Sequence, residues 1–274
     1  MKRMIDFLRT QPMLSCILGL VIGVASIKIL PAGTSLQEGV VRMLLTATMA
    51  FFLYFISGEK TLQACDNETG YVLKVAAPML IVSILFGGFS LIGSAFTLPL
   101  RQDWLFELLS TIYMCLFVGL FEELCFRAII NDALVYQFRN FKYVFVVSAI
   151  FSSIIFGYVH VLGITPDTPA ILAQIIGKTV STALFGFALL ILYWKTRNIW
   201  ACGLTHAIYD FVLMASDAIF ESPVSAGGYV DTSESGVFVA VMYVFFVIID
   251  LVIAIIIWKK IGKNIDFEEM RKNW

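Results

Sequence analysis

The stretch WLFELLSTIYMCLFVGLFEELCFRAIINDALVYQF, residues 104–138, decides how the chain must be read. From Trp104 to Phe121 it carries a single charge, Glu107. That is nearly the run of about 20 predominantly apolar residues that a membrane-spanning helix needs. Glu122, Glu123 and Arg127 then follow without any break in the helical pattern, which continues to about residue 138. One helix here is too long for the hydrocarbon alone. Each charge inside a span costs about 2.5–3.5 kcal/mol or more, so it needs a partner or a function.

Outward from this stretch, comparable apolar runs lie at roughly 13–30, 40–57, 71–96, 142–161, 170–194, 199–220 and 236–258. With 104–121 they predict an all-α, polytopic membrane protein of about eight transmembrane helices, both termini on one side. Of the 274 residues 59% are hydrophobic and 14% charged, against about 45–50% and 25% in soluble domains. A net charge of −1 gives no reason to expect nucleic acid. Basic residues favour cytoplasmic loops. Lys2, Arg3, Arg9, Lys60, Arg139, Lys142, Lys195, Arg197, Lys259, Lys260, Lys263, Arg271 and Lys272 fall on one side, and only Arg101 in the loops of the other. Both termini are therefore expected to be cytoplasmic.

With no linker or internal repeat, residues 1–274 read as one transmembrane domain. The basic N-terminus reads as a retained first span, without a small-residue cleavage pattern. Cys16, Cys65, Cys115, Cys125 and Cys202 form no CxxC pair and read as apolar packing residues. Segment 222–236 reads as a flexible outer loop and the tail from Lys259 as a solvated segment able to form a short surface helix. Trp104, Trp194, Trp200 and Trp258 stand at span ends, where an aromatic belt would lie.

The intramembrane ionisable residues sort by helical spacing. Glu123 and Arg127 are four apart with the acid first, the favourable order for an ion pair. Glu122 lies about 100° round the helix from Glu123 and can face a cavity while its neighbour is tied to the arginine. The chain's two histidines, His160 and His206, both fall in spans. His206 and Asp210 share a face, as do Phe156 and His160, which puts an aromatic ring beneath the imidazole. At 1.5 Å per residue the three groups reach one level only if the hairpin 131–142, with its polar Asn131, Asp132, Gln137, Arg139 and Asn140, projects into the cytoplasm. Lys178 has no acid four residues away; Glu107 or Asp217 on another helix could pair with it.

EELCFR (122–127), FGYVH (156–160) and HAIYD (206–210) resemble, in order and spacing, the EExxxR, FxxxH and HxxxN/D motifs of the CPBP family, the CAAX-prenyl-protease and bacteriocin-processing (Abi) membrane endopeptidases. The resemblance covers about residues 100–215. It implies an intramembrane endopeptidase in which Glu122 activates water, His160 helps hold it, and His206 with Asp210 stabilises the oxyanion or helps bind a metal. Glu123, Arg127 and Phe156 would be supporting groups. The family's usual last residue is Asn; an ionised Asp210 cannot donate to an oxyanion, so it is protonated, orients His206 or ligates a metal.

The residues allow two chemistries. Glu122, His160, His206 and Asp210 are an N/O set suited to zinc with an open water position. Alternatively Glu122 is a metal-free general base and the histidines donate to the tetrahedral intermediate. The expected partners are the bilayer and a membrane peptide or protein, and the expected place is the plasma membrane of a bacterium. A bacterial source would disfavour prenylated CaaX substrates and point to bacteriocin or signalling peptides. A proton-coupled transporter would also bury Glu, His and Asp, and a non-catalytic bacteriocin-immunity protein could keep the same fold.

Overall fold

The computed structural model describes residues 7–8, 10–29, 33–57, 61–63, 69–221, 230–231, 233 and 236–272. The architecture is helical: α1 (Pro12–Ile29), α2 (Ser35–Ser57), α3 (Thr69–Val75), α4 (Ala77–Thr97), α5 (Trp104–Glu123), a π-helical segment (Leu124–Asn131), α6 (Asp132–Gln137), α7 (Val144–Val159), α8 (Pro169–Thr196), α9 (Ile199–Ile219), α10 (Gly236–Ile261) and α11 (Phe267–Lys272). Six of these units are long and apolar enough to cross a membrane: Ser35–Ser57, Ala77–Thr97, Trp104–Gln137, Pro169–Thr196, Ile199–Ile219 and Gly236–Asn264. The apolar stretches in α1 and α7 are shorter, so six of the eight expected spans meet the length by themselves. The run at 71–96 is two helices, because Pro78 stands at the start of α4 and a proline ring cannot follow on inside a helix without removing a hydrogen bond.

The surface and the interior are arranged for lipid. Phe89, Phe96, Val237 and Phe238 are all more than 60% exposed, a density of bare apolar side chains that soluble monomers rarely carry. This is an integral membrane protein. The packed centre is the unit α5–π–α6, flanked by α1, α2, α7 and α9, while α8 lies against α7 and α10. Every residue from Phe121 to Val135 is buried.

In lipid, helices are not driven together by the hydrophobic effect, and small residues decide where backbones meet. Gly119 and Gly203 do this for α5 and α9. A Cβ on Gly119 would stand 2.5 Å from the Gly203 carbonyl oxygen and 2.8 Å from the Ala207 nitrogen, so the two helices touch by backbone one turn before the glutamate pair. Gly203 and Ala207 form a small-xxx-small stripe on the same face as that contact.

The expected continuation of the fourth span to residue 138 is present, in a form that residue spacing does not reveal. Leu124–Asn131 is a π-helix, with the Asp132 N–H reaching back five residues to the Arg127 carbonyl. Such segments are rare and often mark functional sites. Its end is pinned on several sides. Asn131 donates to Ser152 Oγ at 3.2 Å and accepts from Trp194 Nε1 at 2.9 Å. Asp132 accepts from the Tyr193 hydroxyl at 2.7 Å and from both ends of the Arg197 guanidinium. Arg197 occupies the left-handed turn between α8 and α9 at φ 51°.

Those bonds correct two sequence readings. Asn131 and Asp132 are buried, unlike the exposed Gln137, Arg139 and Asn140 of the same hairpin; a π segment packs more residues into each turn, so the helix is shorter than the α-helical rise implies. Trp194 is also buried, a core residue held by Asn131 and not part of a belt, whereas Trp104 and Trp258 are exposed. Cys16, Cys115, Cys125 and Cys202 are free and buried, as packing residues should be; Cys65 lies outside the described residues, as does most of the 222–236 loop. The tail forms the short α11, whose Phe267 ring packs on Phe145 and Trp194.

Candidate active site

Glu122 and Glu123 close helix α5 and, being adjacent, point to different neighbours. Glu123 is fully buried and takes two partners. Its Oε2 lies 3.0 Å from Arg127 Nε and its Oε1 3.0 Å from His206 Nδ1. The contact with Arg127 is an ion pair met off the hydrogen-bond axis. Arg127 also donates from Nη2 to the Gly186 carbonyl at 3.1 Å and sits 4.3 Å above the Phe156 ring centroid. The absence of a side chain at position 186 is what admits both groups, since a Cβ there would stand 2.6 Å from Phe156 Cδ1 and 3.1 Å from Arg127 Nη2.

Glu122 faces the histidines. Its Oε2 lies 3.9 Å from His160 Nε2 and 3.8 Å from His206 Nε2, and among the described residues this buried oxygen has no hydrogen-bond partner. His160 caps the end of α7 and its Nδ1 is engaged with the Phe156 carbonyl at 2.7 Å. His206, on α9, places Nε2 3.3 Å from Asp210 Oδ2. Both nitrogens of His206 therefore meet carboxylates. Neutral imidazole has one donor and imidazolium two, so the doubly protonated ring is the form that satisfies both contacts.

Phe156 forms the floor, edge-on to His160 with centroids 5.0 Å apart and to His206 at 6.0 Å. Phe185 covers the other side of His206 at 5.1 Å and stacks on Tyr209 at 4.5 Å. Of the enclosed group Asp210 is the most open, its side chain 27% exposed against 3% for His206. The structure thus brings together Glu122, His160, His206 and Asp210, with Glu123, Arg127 and Phe156 packed around them.

Residues 103–212 match a family model described as Type II CAAX prenyl endopeptidase Rce1-like. This segment matches the CAAX-protease family. It runs from the residue before α5 into α9, so it contains every residue of the site just described. No curated protein and no solved structure matches the chain. The match agrees with the family suggested by the three sequence motifs.

The spacing of the donor set bears on whether it can hold a metal. Tetrahedral zinc with bonds of about 2.0–2.1 Å sets neighbouring ligand atoms roughly 3.3 Å apart. His206 Nε2 and Asp210 Oδ2 stand at that distance, but Glu122 is about half an ångström too far from either histidine nitrogen. Among the described residues no group of three His, Cys, Asp or Glu side chains is arranged to hold a metal ion. The set does not close on zinc.

Near the site lie Asp250, which the sequence reading missed, and Lys178, which it noted without assigning a role. Asp250, buried on α10, accepts a hydrogen bond from the Ser181 hydroxyl on α8. Lys178, one turn before Ser181, has Asp210, Asp250 and Glu122 as the acids within its electrostatic reach. Glu107, one of its expected partners, is instead engaged by Ser35 and Arg101. The signal available in sequence was a lone lysine and a lone aspartate in two apolar runs.

Proposed function

We propose that the chain is an intramembrane endopeptidase that hydrolyses a peptide bond in a membrane-associated peptide or protein. The observation that carries this reading is the buried, unpartnered Glu122 Oε2 facing the Nε2 atoms of both histidines at 3.8–3.9 Å. A single water fits between polar atoms at such separations. The family match over 103–212 supports the same class of reaction.

In the mechanism, a water hydrogen-bonded to Glu122 Oε2 and His160 Nε2 gives its proton to Glu122. The hydroxide adds to the scissile carbonyl. The His206 imidazolium donates to the resulting oxyanion from Nε2, while Glu123, itself neutralised by Arg127, holds the ring through Nδ1. The tetrahedral intermediate collapses with cleavage of the C–N bond, and the Glu122 carboxylic acid returns its proton to the leaving amine. Water and peptide are consumed, acid and amine produced. Asp210 orients His206 before substrate arrives and yields Nε2–H to the oxyanion.

Eight membrane crossings with both termini cytoplasmic complete the reading. The parallel run of α2 and α5 supports it, with Ser35 beside Glu107 and Thr46 beside Phe117, since two parallel helices must begin on the same side. For zinc to serve, Glu122 and the histidines must draw together.

The test is cleavage by the purified full chain in detergent. A prenylated CaaX peptide and an unprenylated bacteriocin-type precursor serve as substrates, for wild type, Glu122→Gln and His160→Ala, with and without chelator. General-base removal should lower turnover by about 10²–10⁴-fold with the fold intact, and chelator should change nothing. Variants that cleave as fast as wild type, or a wild type that cleaves neither substrate, would overturn the proposal. Loss of turnover on chelation would replace the metal-free version by the zinc one.

A further inference from the structure

Three features place Lys178 in the site's working parts. It lies on α8 seven residues, two turns, before Phe185, and so on the same face; Phe185 is the residue that covers His206 and Tyr209. It lies three residues before Ser181, which is bonded to Asp250 of α10, so lysine and serine present one surface to that helix. Asp210, which follows the Phe185-stacked Tyr209 on α9, and Asp250, the partner of Ser181, lie with Glu122 within electrostatic reach of the lysine. An ammonium and a carboxylate carried deep into a membrane on separate helices are costly unless they answer each other. Here the ammonium stands among acids from α5, α9 and α10.

Asp210 poses a specific problem for the reaction. Its Oδ2 occupies the Nε2–H of His206 at 3.3 Å, the same proton that the oxyanion requires. A carboxylate with no other counter-charge would keep that proton and compete with the substrate. We propose that Lys178 is a positioning residue that, braced by Asp250 of α10, holds the charge of Asp210 and so releases His206 Nε2–H to the reacting carbonyl oxygen. The inference rests on the endopeptidase reading for its catalytic consequence, but its charge coupling stands independently. It also gives α10, which lies outside the matched segment, a part in the site.

The experiment is a double-mutant cycle on the purified full chain, read by turnover and by thermal unfolding in detergent. Lys178→Met should lower kcat by about tenfold or more with little change in KM, and should lower Tm. In an Asp210→Asn background the same substitution should change kcat by less than about twofold and cost less Tm, because the charge it answers is gone; double-mutant cycles detect such non-additivity. Lys178→Arg should retain most of the wild-type turnover. Equal losses from Lys178→Met in both backgrounds, in kcat and in Tm, would overturn the proposal. If Lys178→Met alone does not survive purification, its recovery by Asp210→Asn or Asp250→Asn supports the coupling, and failure of both to recover it overturns it. A wild type without turnover would defeat the endopeptidase reading, and the Tm cycle would still decide the coupling.

Discussion

Replacing Arg127 by Met should be among the most damaging single changes in the chain, and its size can be worked from the contacts. The guanidinium is 3% exposed and its partner Glu123 is fully buried. Three contacts vanish together: the ion pair at 3.0 Å, the bond to the Gly186 carbonyl at 3.1 Å and the seat on Phe156 at 4.3 Å. Removing one partner of a buried pair costs about 3–5 kcal/mol, because the remaining charge is stranded. The cation–π contact adds about 2 kcal/mol where it is desolvated. Glu123 keeps His206 as a partner, so the lower end applies and the expected loss is about 5 kcal/mol. The assay is reversible unfolding in mixed micelles, comparing wild type, Arg127→Met, Glu123→Gln and the double variant. The double should recover much of the loss, since a neutral pair leaves no stranded charge. A single-variant loss below about 1 kcal/mol, the range of a surface pair, would refute the claim that this pair is buried and structural.

Gly203→Leu should force α9 away from α5, because Leu120 and the backbone already fill the space beside position 203; a 1 Å misplacement of reacting groups costs about 10²-fold, read as kcat against the unfolding midpoint. Trp194→Phe removes the donor to Asn131 but keeps an aromatic ring, and should destabilise by about 1–3 kcal/mol without abolishing turnover; unchanged unfolding would show that the bond is dispensable.

Most of the candidate site was legible because its residues are rare where they occur. Two histidines and a glutamate pair among apolar runs stand out, and the four-residue spacings of Glu123–Arg127 and His206–Asp210 translate directly into contacts at 3.0 and 3.3 Å. What was not legible depends on contacts far apart in the chain. Asp250 and Ser181 are 69 residues apart, and no local pattern joins Asp250 to Ser181 or to Lys178. Polarity was also mistaken for exposure. Asn131 and Asp132 look like hairpin residues, yet they are buried because Trp194, Tyr193, Ser152 and Arg197 supply their hydrogen bonds from other elements. The π segment escaped because its residues, LCFRAIIN, fit an α-helical pattern equally well; the choice is made by the packing around it.

That segment sets a phase relation along one continuous rod. The glutamates stand at its start and the Asn131–Asp132 anchor at its end. The direction in which the carboxylates aim is therefore fixed from the far end, through a ladder wound more loosely than the helix on either side. In an α-helix the loss of one residue swings everything beyond it by about 100°. Within 124–131 the same loss would be absorbed largely by the ladder tightening back to α form, because the loose turns already hold residues in excess. The helical phase on either side is thus less sensitive to a change of length within this segment than to one elsewhere on that rod.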